Sequence, residues 1–463
     1  MTVELTDQQR ELFIDLCNRG SVQSLRYAVK NKVLADFQTV CIAIALIMEK
    51  QMISLDTGLG KTLVATAIIN ILHKKYPGIK WLYLCQSSNL KTTCDKVESG
   101  LYTASCIWTG ADKTSILKTF FKNDALSADV LILPYNILEN KAVNDFLFRN
   151  RGLYQGVVVD ESQTIGNDES YTFRLVDGLL NNTRFGYLLS ATPLRVDPEQ
   201  VCNQIAIMDR ARYGHMRGDR FIARYRIVKD GQILGYQNLD ELEELLLFAC
   251  ISYTRKSLNM KGKYNVQIVW CDPLEEYKTV SKMETFSKIL GDPAGPAVHA
   301  LVKLCCEKNL EGKKGLVYVN RTENKVMVQE ALEQAGLRVG IMDGKFTNTQ
   351  KKKEVVHQQY INGELDVLIT NVSTGKDLPS DYICFYEMTF DFKQMLGRGE
   401  RGLTGNNMDI VFILVRNTGL VDYFYKNVYE RGVFLEEMLG KDIDELKEAQ
   451  RQIERDAGII DDY

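Results

Sequence analysis

The chain has 463 residues, too many for one ordinary core, and two to four domains are expected. Hydrophobic residues at 45% and charged residues at 25% exclude a disordered or collagen-like chain. A formal net charge of −3 conceals two opposite regions: Asp209 to Lys229 holds seven bases and two acids, whereas Glu430 to Tyr463 holds eleven acids and five bases.

The N-terminus (MTVELTDQQRELF) carries acids where a secretory signal has bases followed by an apolar stretch. The longest uninterrupted apolar run, Val40 to Met48, has nine residues, about half of a bilayer crossing. No membrane association is expected, and the expected location is cytoplasmic, either nucleoid-associated or in the host cytoplasm for a phage-encoded chain. The eleven cysteines form no Cys-x-x-Cys pair, and His73, His215, His299 and His357 are scattered. That pattern suits buried thiols in a reducing compartment and no zinc site.

Residues 1–33 read as an N-terminal helical segment. Apolar runs rich in β-branched residues follow at Met52–Leu55, Trp81–Cys85, Val130–Leu133, Val157–Val159 and Tyr187–Leu189, with helical stretches such as Leu63–Leu72 between them. Buried strands alternating with helices predict an α/β domain with a mostly parallel sheet over 34–200. The rhythm breaks over 201–270, which reads as a helical, basic linker or accessory segment. It resumes over 271–429, with strands at Leu316–Val319, Val339–Met342, Val367–Thr370, Ile383–Phe385 and Ile410–Val415. Residues 430–463 read as an acidic helical tail.

Between the first strand and the first long helix lies Leu55-Asp56-Thr57-Gly58-Leu59-Gly60-Lys61-Thr62. Gly58 and Gly60 let the backbone turn its N–H groups around phosphate oxygens. Lys61 brings a point charge to the β- and γ-phosphates, and the Thr62 hydroxyl suits Mg²⁺. The full phosphate-loop pattern has glycine where this chain has Leu55. About 100 residues on, Val157–Val159 ends in Asp160-Glu161. Asp160 suits Mg²⁺ and Glu161 the attacking water, which favours nucleotide hydrolysis over phosphotransfer.

Together these residues resemble the superfamily 2 helicases and translocases, a family with two tandem RecA-like domains. The resemblance runs from about residue 34 to about residue 425. Gln38 resembles the glutamine that reads adenine, Asp56–Thr62 is similar to motif I, and Asp160-Glu161-Ser162-Gln163 to motif II, with Gln163 where relatives have Asp or His. Ser190-Ala191-Thr192-Pro193 resembles motif III, and the resemblance implies that Gln163, Ser190, Ala191 and Thr192 couple ATP state to nucleic-acid grip. Gly375-Lys376-Asp377 resembles motif V, placing Gly375 and Asp377 near the nucleotide. Gln394-Met395-Leu396-Gly397-Arg398-Gly399-Glu400-Arg401 fits motif VI, which implies catalytic roles for Gln394, Arg398 and Arg401, the arginines acting as fingers on the γ-phosphoryl. Phe221–Tyr225, Gly235–Leu239 and Thr254-Arg255-Lys256 resemble the linker of Swi/Snf-type translocases. The compact second half is similar to phage and bacterial branch-migration translocases of the UvsW type.

Expected nucleic-acid contacts are Gln86, Ser87, Asn89 and Tyr135 in the first domain, Asn320, Arg321 and Thr370 in the second, and Arg217, Arg220, Arg224 and Arg226 between them. The reading is an ATP- and Mg²⁺-dependent DNA translocase that works as a monomer on duplex, forked or junction DNA and drives branch migration. An RNA helicase and an ATP-gated nucleic-acid clamp are the alternatives.

Overall fold

Six-residue runs such as Lys50–Leu55 and Lys80–Cys85 are buried from their second residue onward, which only a strand covered on both faces achieves. In this computed structural model the described residues are 24–108, 127–193, 197–229, 232–255, 257–258, 264–280, 284–343, 346–347, 350–371, 378–387, 396, 399, 408–424 and 451. The chain divides into two compact units, Met1–Thr254 and Arg255–Tyr463.

In the first unit the elements are α1 (Asp36–Met48), β1 (Lys50–Leu55), α2 (Lys61–Lys75), β2 (Lys80–Cys85), α3 (Leu90–Gly100), β3 (Cys106–Trp108), β4 (Val130–Pro134), α4 (Lys141–Arg149), β5 (Tyr154–Asp160), α5 (Tyr171–Leu180) and β6 (Phe185–Ser190). There follow α6 (Pro198–Met208), α7 (Arg210–Tyr213), α8 (Asp219–Tyr225), the antiparallel pair β7 (Arg226–Lys229) and β8 (Gln232–Tyr236), α9 (Leu239–Ala249) and β9 (Cys250–Tyr253). Seven strands form one sheet in the order β3-β4-β2-β5-β6-β1-β9, and every pairing is parallel. Its centre is locked by Trp81, which faces Gly156 in the ladder with Phe185 on the far side. The Trp81 and Phe185 rings stack at 6.1 Å across Gly156, where a Cβ would sit 2.3 Å from the indole.

The second unit holds β10 (Tyr264–Cys271), α10 (Thr285–Lys288), α11 (Pro296–Leu310), β11 (Gly315–Tyr318), α12 (Thr322–Gln334), β12 (Val339–Met342), α13 (Gln350–Ile361), β13 (Val367–Thr370), β14 (Tyr382–Phe385), β15 (Met408–Val415) and α14 (Gly419–Tyr423). Six strands pair in parallel in the order β10-β15-β14-β11-β13-β12. A buried Lys325–Asp343 ion pair at 2.5 Å joins α12 to the end of β12.

The stretch 201–270, expected as a helical linker, holds most of α6 and all of α7, α8 and α9. That stretch also contains the β7–β8 hairpin, the edge strand β9 of the first sheet, and β10, which pairs along its whole length with β15 of the second. These strands are short or only half-buried, so none reads as an uninterrupted apolar run. Among the described residues no helix is long and apolar enough to cross a membrane. Residues 1–23 and, apart from Arg451, all of 430–463 lie outside the described residues, whereas 26–33 form turns and an isolated Val29–Lys32 bridge rather than the expected helix.

Candidate nucleotide site and nucleic-acid contacts

The C-terminal ends of β1, β5 and β6 are neighbours in the first sheet, so Asp56, Glu161 and Ala191 leave it side by side. That edge of a parallel sheet is where ligand groups collect. After β1, Gly58 and Gly60 take positive φ values of 81° and 86°. Gly60 is required twice over: it caps α2 in a left-handed conformation, and a Cβ there would meet Gln38 Nε2 at 2.5 Å. Gln38 is buried, accepts from the Ala35 N–H at 2.9 Å and donates to the Leu59 carbonyl at 2.9 Å. It therefore ties the start of α1 to the phosphate loop. Leu59 is buried, while Thr57, Lys61 and Thr62 stay partly open. Lys61 Nζ donates to the Leu55 carbonyl at 3.1 Å, across the base of the loop.

Asp160 ends β5 buried, and its carboxyl is pushed up to about 7, first by burial and then by the charge of Glu161, with Lys61 opposing. The Tyr83 hydroxyl donates to Asp160 Oδ2 at 3.3 Å and is also hydrogen-bonded to Thr62. The two expected Mg²⁺ ligands thus meet at one hydroxyl, and a carboxylate beside an alcohol matches the hard-oxygen preference of that ion. Tyr135 braces the same residue from behind by donating to the Asp160 carbonyl at 2.5 Å.

Glu161 adopts a left-handed φ of 52°, uncommon for a residue with a side chain. Its carboxylate accepts from Gln163 Nε2 at 2.8 Å. Ser190 donates to Gln163 Oε1 at 2.6 Å, and the Thr192 N–H donates to Ser190 Oγ at 3.0 Å. Glu161, Gln163, Ser190 and Thr192 thus form one continuous hydrogen-bonded relay, with Ala191 buried beside it. Gln163, the departure in motif II, has both a donor and an acceptor, and the relay uses both.

A family model described as the SNF2-related domain matches residues 23–285, more than half of the chain. The chain belongs to the SNF2-related family. Its two parallel sheets have the fold of tandem RecA-like domains. Over 105 residues it is 29% identical to the ATP-dependent RNA helicase RhlB of Xanthomonas axonopodis pv. citri, a match covering 22% of this chain and 18% of that protein. The protein of the same name from Xanthomonas oryzae pv. oryzae matches to the same extent. The chain thus spans less than a fifth of the length of these curated relatives. Among solved structures, the Hef helicase domain of Pyrococcus furiosus aligns with a TM-score of 0.51 at 14% identity, over 84% of this chain and 97% of that one. The Sulfolobus solfataricus SWI2/SNF2 ATPase core in complex with dsDNA aligns with a TM-score of 0.45 at 15% identity, over 93% and 97%.

Several expected nucleic-acid contacts of this family member are placed otherwise. Tyr135 is buried, with its hydroxyl on Asp160. Thr370 is buried and donates to the Met342 carbonyl at 3.1 Å. The Asn320 and Arg321 N–H groups, expected to grip phosphate at the start of α12, donate instead to the buried carboxylate of Glu387 at 2.7 and 3.0 Å. A carboxylate at a helix N-terminus satisfies the donors a phosphate would use. Gln86, Ser87 and Asn89 do lie at the C-terminal end of β2, with Ser87 exposed and bonded to Asn136 Oδ1 at 2.8 Å.

The basic segment is corrected as well. Tyr213, Phe221 and Tyr225 are buried and offer no ring to a base. Arg217 pairs with Asp177 at 3.2 Å and lies over the Phe173 ring, Arg224 pairs with Glu241, and Arg226 pairs with Glu199 and Asp197. Among the described residues Arg220 is the member of the four without a carboxylate partner; with Arg210, Arg217 and His215 it lines an open cavity of about 440 Å³. Gly375, Asp377, Gln394, Arg398 and Arg401 lie outside the described residues. Tyr83, Gln204 and Glu387 were not legible, because each acts on a partner far away in sequence.

Proposed function

We propose that the chain is an ATP- and Mg²⁺-dependent DNA translocase that acts on duplex or branched DNA, including fork and junction remodelling by branch migration. The observation that carries the ATPase half is the edge built from the phosphate loop, Asp160-Glu161 and the Glu161–Gln163–Ser190–Thr192 relay. DNA is favoured over RNA because the family match runs on through residues 201–270, the segment that resembles the Swi/Snf linker.

In this reading the loop amides after β1 hold the phosphates, and Lys61 leaves the Leu55 carbonyl for the β- and γ-oxygens. Thr62 and Asp160 would hold Mg²⁺, whose charge offsets that of the phosphoryl group being transferred. Glu161 orients the attacking water, and its bond to Gln163 passes the state of the carboxylate to Ser190 and Thr192.

Branch migration asks little melting energy of a motor, since each base pair broken is nearly balanced by one formed. The test is the ATPase rate on single-stranded, duplex, forked and four-way-junction DNA and on duplex RNA, with strand exchange scored on a mobile junction. Junction DNA should stimulate most and be remodelled better than a tailed duplex of matched length. Equal stimulation by RNA would replace this reading with the RNA helicase, which the short RhlB similarity favours. Stimulation without any strand movement would leave an ATP-gated clamp.

A further inference from the structure

The β7–β8 hairpin exposes four large aliphatic side chains: Ile227 (43%), Val228 (48%), Ile233 (46%) and Leu234 (62%). Val228 faces Ile233 across the ladder and Ile227 faces Gly235, with a bulge between Ile227 and Val228. A lone two-stranded sheet is marginal in water, and one that leaves such groups uncovered gains nothing for folding by them.

The base of the hairpin is firmly held. Arg226, which opens β7, pairs with Glu199 and with Asp197 at 3.4 Å, and the Tyr236 hydroxyl that ends β8 donates to Asp197 at 2.6 Å. Asp197 and Glu199 open α6, where Asp197 is also the helix cap. Five residues beyond Glu199, buried Gln204 clamps α6 to the hydrolysis loops: it accepts from Ser162 Oγ at 2.8 Å and donates to the Pro193 carbonyl at 3.2 Å. Asn203 adds a bond to the Gly166 carbonyl at 3.2 Å. Ser162 follows Glu161, and Pro193 follows Thr192. A chain of polar contacts therefore runs from both ends of the relay, through α6, to the foot of an uncovered apolar hairpin.

We propose that this hairpin is a wedge that inserts its aliphatic side chains against the last base pair of a duplex and is aimed by the hydrolysis loops through Gln204 and Asp197. The proposal rests on the nucleic-acid reading above. Aliphatic side chains enter base steps readily once flanking cations hold the phosphates. Lys229 is exposed on the hairpin itself, and Arg220, exposed and without a carboxylate partner among the described residues, precedes it by nine residues. An apolar protein partner has no use for that charge.

The test places 2-aminopurine at the last paired position of a forked duplex and reads its fluorescence on binding. The full chain should brighten the probe. The variant I227T/V228T/I233T/L234T, which keeps strand-compatible residues, should lose most of that signal while its duplex-stimulated ATPase stays within about two-fold. L234D alone, at the most exposed position, should reduce the signal in the same direction. A wild-type chain that nucleic acid stimulates but that leaves the probe dark would overturn the wedge. So would a threonine variant that brightens it fully, and the face would then belong to a protein partner. A wild-type chain that no nucleic acid stimulates would overturn the parent reading and the wedge with it.

Discussion

Lys61 rests on a backbone carbonyl rather than in the core, so its removal takes charge from the phosphate loop and little else. Lys61→Ala should abolish ATP turnover and leave the thermal unfolding midpoint within a few degrees; turnover within a few-fold of wild type would remove the loop from the site. Glu161→Gln should separate binding from hydrolysis, retaining a fluorescent ATP analogue while turnover falls by about 10² or more. An amide at that position still accepts a hydrogen bond from Gln163 but is no base. If turnover survives, the water is oriented elsewhere. These roles were legible in the sequence because a strand end, two glycines and a lysine within eight residues make a local structure. Tyr83 was not legible, since its hydroxyl reaches Asp160 across 77 residues of chain and only the sheet order brings them together.

At the scale of elements, the basic stretch separates into two kinds of arginine. Arg226 is partly buried between Asp197 and Glu199, so Arg226→Ala leaves two carboxylates uncompensated and should destabilise the first unit by about 3 kcal/mol, read in urea unfolding. Arg220 is exposed, and Arg220→Ala should leave stability nearly untouched. If it meets a phosphate, its loss lowers the log–log salt slope of duplex binding by about 0.9. An unchanged slope would confine the whole stretch to packing. Sequence periodicity found the strands that are buried from end to end, such as β4 and β6. It missed β9 and β10, because CISY is four residues long and YNVQIVWC is mostly half-buried. The charge count over Asp209–Lys229 was right as arithmetic, but it could not show that Asp177, Glu199 and Glu241 already answer most of it.

For the molecule as a whole, activity should need both units. Arg398→Ala and Arg401→Ala should each lower kcat by about 10³ while the apparent KM for ATP changes far less, and Arg398→Lys should not restore it, since a point charge cannot fork onto two oxygens. Normal turnover in Arg398→Lys would make that residue structural. Motif order made the two-unit organisation readable, whereas the inward turn of Tyr135 and Thr370 was not, because a hydroxyl at a strand end suits a ligand and a buried carbonyl equally well.

The edge strand β9 has one more property. The chain leaves the first unit at Thr254, directly after Tyr253, whose carbonyl accepts the Asp56 N–H at 3.2 Å, and β9 lies parallel to β1. Tension along the connecting peptide would therefore load β9 in shear and be felt first at Asp56, the residue that opens the phosphate loop. In the translocase proposed above, nucleotide release should depend on the force opposing it, with the stalled enzyme and the unloaded one differing in how long they keep their product.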